Sequence, residues 1–285
     1  MKGLKYILLL AVLFTLGACQ RSQEERNRIL KVYNWADYID EDVLAEFPEW
    51  YKEQTGEDIE VIYQTFDINE IMLTKIERGH EDFDVVCPSE YIIERMMKKD
   101  MLQPINRDFG NTPDYIPNLA PYIQEELNKM SFDERKVTDY AVAYMWGTAG
   151  VLYNKGLVTE EEALTCGSLW DPKFNNKILM KDSYRDCYGL SIIYANTERL
   201  QKGEVTVEQL MNDNSKDAIV MAEEYLKMMK PNIAGWEADF GKEMMTKGKA
   251  WLNFTWSGDA VWAIEEAAAV DVELDYVVPI EGSNV

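Results

Sequence analysis

The chain has one histidine, His80, in 285 residues. Its four cysteines, Cys19, Cys87, Cys166 and Cys187, contain no CxxC pair. A histidine-rich metal site, a zinc knuckle and a dithiol redox motif are therefore excluded, and any histidine-dependent triad would have to use His80. There is no nucleophile elbow, HExxH, P-loop or glycine-rich dinucleotide turn. No cofactor and no metal are expected, and no catalytic residue is assigned. Positive charge is scarce: 29 Lys and Arg stand against 51 Asp and Glu, a net charge of −22. Such a surface repels nucleic acid and anionic lipid and attracts cations, although acidity alone equally suits a merely soluble protein. Beyond the N-terminal region no segment is long and apolar enough to span a bilayer. There is no internal repeat and no low-complexity segment.

What is present begins at the N-terminus. Lys2 and Lys5 precede an apolar run from Tyr6 to Leu16, then the small residues Gly17 and Ala18. That is the layout of a secretory signal peptide over 1–18. Leu16-Gly17-Ala18-Cys19 resembles the lipobox of bacterial lipoproteins, in which the cysteine is acylated. Residues 19–28 then read as a polar, lipidated tether, and the protein is expected in the periplasm or at the cell surface. Loss of Lys2 and Lys5 with the leader brings the balance to 27 against 51, or −24. An exported chain can form one disulfide among Cys87, Cys166 and Cys187, but the sequence chooses no pair.

Strand and helix signals alternate through the first half. Ile29–Tyr33 reads as a strand, and Asp40 can cap a helix with Val43, Leu44, Phe47, Trp50 and Tyr51 on one face, Pro48 inside it and Gly56 at its end. Ile59, Val61 and Tyr63 alternate as a strand. Asp67 and Glu70 resemble a capping box opening a helix through Met72, Leu73 and Ile76 to Gly79. Phe83–Cys87 reads as a short buried strand, followed by a helix capped by Ser89. This order predicts an α/β fold with a parallel or mixed sheet. Residues 106–121 read as a loop, and Tyr140, Val142 and Tyr144 alternate again. The expected domains are 29–143 and 144–285. The second has strands at Ala149–Tyr153, Ile178–Met180, Ala250–Phe254 and Leu274–Val278. Its helices are expected from about Ser183, along Ala218–Met229 and from Ser257 to about Ala268.

Ligands of open α/β sheets bind beyond the carboxyl ends of the strands. Those ends carry Trp35, Asp37 and Tyr38; Ser89 and Tyr91; Asp182, Ser183 and Asp186; and Trp256. The set is aromatic and acidic, with no Lys or Arg except Arg185. It suits an organic ammonium, because aromatic faces attract cations and carboxylates give charge-assisted hydrogen bonds. Each residue also has an ordinary structural role available: packing for the tryptophans, helix capping for Asp37 and Ser89, and a solvated helix start for Asp182 and Asp186.

Tyr33-Asn34-Trp35-Ala36-Asp37-Tyr38-Ile39 resembles the opening motif of bacterial spermidine/putrescine-binding proteins, the receptors of polyamine ABC importers. Phe83–Ser89, Tyr144–Thr148, Leu169–Phe174 and Trp256–Ala260 follow in the same order. The resemblance implies a two-lobed periplasmic-binding-protein fold of type II-like topology, with mixed sheets flanked by helices and a polyamine held between the lobes. It implies that Trp35 and Tyr38 are aromatic walls, Asp37 an acidic contact, Ser89 and Tyr91 lining residues, Asp186 the carboxylate of the second lobe and Trp256 its aromatic plate. Asp182, Ser183 and Asp259 are secondary candidates. The partners it implies are the importer's membrane subunits, with a lipid anchor as the only membrane contact, no nucleic acid and a monomeric state.

Two departures bear on the ligand. Ala36 stands where family members often carry a hydroxyl residue, and Ser183 where the spermidine-binding branch has an acid. The chain also stops near Val285, before a segment in which the family has an aromatic residue and an aspartate. The C-terminal part is therefore expected to be missing, which leaves the first lobe incomplete. Two other readings remain open. One is an envelope-anchored, glycosidase-like hydrolase using Asp37 and Asp186. The other is a receptor for another organic cation, such as a thiamine-like compound.

Overall fold

The computed structural model describes residues 25–79, 81–110, 112–237 and 241–283. The leader, Cys19 and His80 lie outside the described residues. Two compact units divide the chain, the first ending at Tyr144 and the second beginning at Met145.

In the first unit, β1 (Ile29–Trp35), α1 (Glu41–Thr55), β2 (Glu60–Phe66), α2 (Asn69–Gly79), β3 (Val85–Val86) and α3 (Glu90–Lys98) alternate. The sheet order is β2-β1-β3 and both pairings are parallel, with Trp35 opposite Phe66 and Tyr33 opposite Val86. Helical crossovers of this kind are what parallel neighbours require. Asp40 caps α1 by accepting from the Asp42 N–H at 3.0 Å. Gly56 ends the helix in the left-handed conformation (φ 78°), where its N–H returns to the Lys52 carbonyl. Tyr33, Phe66, Met72, Leu73, Ile92 and Met96 form the core. The Tyr33 ring stacks on Phe83 at 4.4 Å and meets Phe66 edge-on at 5.0 Å.

Three expectations for this unit need correction. The strand at 83–87 is only two residues long and not buried, because β3 is an edge strand and Val85 faces solvent. Helix α2 starts at Asn69, so Asp67 and Glu70 do not occupy the two positions of a capping box, and the Glu70 carboxylate instead accepts from the Tyr91 hydroxyl. The alternating stretch 140–144 forms no strand; Val142 and Tyr144 are exposed, and no neighbouring strand supplies a ladder among the described residues. The apolar face of α1 reaches full burial at no residue. After α3 come α4 (Pro121–Lys129) and a small hairpin of β4 (Ser131–Phe132) and β5 (Arg135–Lys136).

The second unit is a mixed five-stranded sheet in the order β10-β6-β9-β7-β8. Its strands are β6 (Ala149–Asn154), β7 (Ile178–Lys181), β8 (Ile233–Glu237), β9 (Leu252–Trp256) and β10 (Leu274–Val277). β7 runs parallel to both β8 and β9, while β6 is antiparallel to β9 and β10. Side chains alternate between two cores, as the two-residue period of a strand dictates. Val151, Tyr153, Ile178, Met180, Leu252 and Phe254 face one core, with Cys187 and Leu190 of α5 (Tyr184–Ala195) and Met229 of α6 (Lys216–Met229). Leu152 and Leu179 face the other, with Ala260, Ala263 and Ala267 of α7 (Ser257–Ala268). With both faces covered, β6 reads in sequence as a continuous apolar run and is buried at every residue. Gly150 is required within it, since a Cβ there would stand 2.5 Å from the Tyr276 ring and the Val277 carbonyl.

Strand β8 is absent from the sequence-based expectations. Gly235 and a Pro-Asn turn at its start dilute the strand signal, and the strand exists through pairing with β7. The motif Leu169–Phe174 is structural: Leu169 and Phe174 are buried, Trp170 stacks on Tyr194 at 4.1 Å, and its indole N–H donates to the Tyr225 carbonyl.

Candidate functional site

In the first unit all three strands point the same way, so the residues beyond their carboxyl ends collect at one sheet edge. Trp35 closes β1, half-buried, with its ring 4.6 Å from Phe66. The turn after it is held by groups the sequence did not single out. Buried Asn34 accepts from the Trp35 N–H at 2.8 Å, and its amide donates toward the Tyr38 carbonyl at 3.4 Å. The Tyr144 hydroxyl donates to that same carbonyl, and the Tyr63 hydroxyl to the Trp35 carbonyl. Desolvation of the hydroxyl groups, even on the otherwise exposed Tyr144, raises both phenols above the ordinary tyrosine value, so they stay protonated donors. Asp37 sits at φ 60°, a left-handed conformation that Asp tolerates better than most residues. It does not cap α1, which uses Asp40.

Beyond β2 and β3 lies a polar cluster. Ser89 takes the N-cap position of α3 but makes no capping bond, contrary to expectation. The competing partner is Asn69, a buried residue missed in the sequence. Its amide donates to the Ser89 hydroxyl at 2.9 Å and the Tyr91 hydroxyl at 3.0 Å, and its Oδ1 accepts from the Ser89 N–H at 3.2 Å. The Tyr91 hydroxyl donates to Glu70 at 3.1 Å. Burial lifts the nearby Cys87 thiol to about 11.

In the second unit, Met180 of β7 lies opposite Phe254 of β9, and Asp182 and Trp256 each follow that pair by two residues. The structure therefore brings these candidates to one edge. Asp182 is exposed, and Ser183 caps α5 by accepting from the Asp186 N–H at 3.3 Å. Asp186 is buried to 6% exposure in the first turn of α5, where the helix dipole favours a carboxylate. Trp256 is half-buried at the N-cap of α7, beside Ser257, which joins Thr148 through both its N–H (2.8 Å) and its hydroxyl (3.3 Å). Gly147 permits that contact; a Cβ there would stand 2.8 Å from the Ser257 hydroxyl.

The expectation that no lysine accompanies this set is wrong. Lys181, the last residue of β7, pairs with buried Asp259 at 3.1 Å. Asp259 is thus committed to an internal cation, with the Thr255 hydroxyl also 3.5 Å away. Arg185 bonds to the Met211 carbonyl and Asn212. Glu237 closes β8, buried, with one oxygen accepting from the Gly241 N–H at 3.2 Å and the other unpartnered; the Asn253 Oδ1 is likewise unpartnered. Burial raises the Glu237 carboxyl above the usual range, opposed by the Lys181 charge. Among the described residues no group of three or more His, Cys, Asp or Glu is placed to hold a metal, and Cys87, Cys166 and Cys187 are free thiols.

A parallel β-α-β half, a second half with a mixed sheet covered on both faces, and candidate residues at the carboxyl edges define the two-lobed α/β periplasmic-binding-protein fold. Residues 49–285 match the family profile described as bacterial extracellular solute-binding protein, and the chain belongs to that family. It is 28% identical over 247 residues to the spermidine/putrescine-binding periplasmic protein of Salmonella typhimurium, covering 86% of this chain and 63% of that relative. The chain thus spans less than two thirds of the length of that relative. The spermidine/putrescine ABC transporter substrate-binding protein PotD of Streptococcus pneumoniae superposes with a TM-score of 0.63 at 33% identity, over 90% of this chain and 70% of that one. The lipoprotein Tp0655 of Treponema pallidum shares the fold, with a TM-score of 0.67 at 21% identity over 89% and 71% of the two chains.

Proposed function

We propose that this protein is the receptor of an ABC importer for a polyamine, putrescine or spermidine, and that it binds its ligand without chemical turnover. Trp35, Tyr38 and Trp256 supply faces for the methylenes and ammonium groups, Asp186 and Asp37 the carboxylates, and Ser89 and Tyr91 the hydroxyls. The observation that carries this reading is how the cationic side chains at the second unit's edge are used. Lys181 is paired with Asp259 and Arg185 is bonded to Met211 and Asn212. The candidate side chains there, Asp182, Asp186 and Trp256, are acidic or aromatic, a combination complementary to organic ammonium. The named ligands of similar proteins support the same choice. Acylation at Cys19 would keep the receptor at the membrane of the importer's transmembrane subunits, and a monomer suffices for that task. Isothermal titration with putrescine, spermidine and spermine tests the proposal: micromolar or tighter binding of at least one is expected, and indifference to all three overturns it.

A further inference from the structure

The cluster Asn69–Ser89–Tyr91–Glu70 has a hydrogen-bond direction that chemistry alone determines. A backbone N–H can only donate, so the Ser89 N–H must face the Asn69 carbonyl oxygen, 3.2 Å away. That settles the amide's orientation and aims its two protons at the Ser89 hydroxyl oxygen (2.9 Å) and the Tyr91 hydroxyl oxygen (3.0 Å). The Tyr91 hydroxyl has one proton, and it goes to the Glu70 carboxylate, 3.1 Å away. The relay runs one way, from the Asn69 amide through the Tyr91 hydroxyl to Glu70.

We propose that Asn69 is a positioning residue for the binding site, with Glu70 its terminus, and that this relay makes Tyr91 meet the ligand as a hydrogen-bond acceptor. The inference rests on the polyamine reading and deepens it. With its proton committed to Glu70 and one lone pair to the Asn69 amide, the Tyr91 hydroxyl can meet a ligand only as an acceptor, which selects N–H donors such as alkylammonium and disfavours acceptor groups. Asn69 also draws the Ser89 hydroxyl away from the α3 N-terminus, where a serine at that position would ordinarily cap, and keeps it in the cluster. Asn69 is buried on α2 and needs no ligand contact of its own to do this.

The test is a set of mutant cycles read by titration of putrescine and spermidine into the purified chain. Asn69→Ala is expected to weaken binding about tenfold, equivalent to about 1.4 kcal/mol. In a Ser89→Ala/Tyr91→Phe background the same substitution is expected to change affinity less than about twofold, because the groups it positions are gone. A merely structural Asn69 would cost the same in both backgrounds, and that result overturns the proposal. Should Asn69→Ala fail to fold, Glu70→Gln gives the second reading. Its amide can donate to Tyr91 and turn the phenol proton outward, so affinity should fall in the wild-type background and not in Tyr91→Phe. An equal loss in both backgrounds marks a simple charge effect and overturns the relay. Failure of the wild type to bind any polyamine sinks the functional reading itself, whereas a binding wild type with uncoupled variants sinks only this inference.

Discussion

The Lys181 ammonium lies 3.1 Å from the Asp259 carboxylate, with the two side chains 13% and 6% exposed. Lys181 ends β7 and Asp259 lies in the first turn of α7, so one ion pair ties the central sheet to the helix after Trp256. Pairing internal charges this deeply frees neither of them for a ligand.

Removing one partner should be costly. Asp259→Asn removes the carboxylate 3.1 Å from a buried ammonium and is expected to lower stability by about 3–5 kcal/mol. Replacing both with apolar residues, Lys181→Met with Asp259→Leu, should recover most of that loss. Urea unfolding of the wild type and the two variants measures it, and a double variant no better than the single one would contradict the buried-pair account.

Glu237 makes stability depend on pH. Burial holds its proton above the ordinary carboxyl value of 4.5. Between 4.5 and the raised value the folded chain binds more protons than the unfolded chain, so stability falls as pH rises through that window. Glu237→Gln should flatten that slope and stabilise the protein above it. Urea midpoints across a pH series report the difference; parallel profiles for the two proteins would refute the assignment.

The thiols should be silent in the native state. Burial pushes Cys87 to about 11, Cys187 to about 12 and Cys166 well above its usual value. Because the thiolate is the reactive form, Ellman's reagent at mildly alkaline pH is expected to leave all three unmodified until the chain unfolds. Rapid labelling of the folded protein at any of the three would show that the surrounding core opens.

Ligand affinity should separate the two aspartates that flank Ser183. Asp186 is buried and Asp182 exposed. Asp186→Asn is expected to cost about 2–5 kcal/mol of binding, as for a desolvated charge pair, and Asp182→Asn well under about 1 kcal/mol. Trp256→Ala should cost about 0.5–2 kcal/mol through the lost cation–aromatic contact. Calorimetry on the set ranks them, and equal effects for the two aspartates would remove Asp186 from its assigned role.

Much of the frame is local and was legible. Asp40 and Gly56 bound α1 because a cap and a left-handed stop act within one turn of chain. The apolar run at Ala149–Tyr153 and the helix Ser257–Ala268 were readable from pattern alone. The expected strand at 140–144 failed for the converse reason: alternation makes a strand only where a neighbour completes the ladder.

The site divides along the same line. By itself the sequence determined which residues come after the strand ends, Trp35, Asp37 and Tyr38, then Ser89, Asp186 and Trp256, because strand order and chain direction place them there. Only the tertiary structure decided which of them are committed elsewhere. Lys181 meets Asp259 across 78 residues, and Asn69 meets Ser89 and Tyr91 across 20 and 22. Such pairings are set by strand register and helix packing, and a buried polar group takes whichever partner the fold delivers within hydrogen-bond reach.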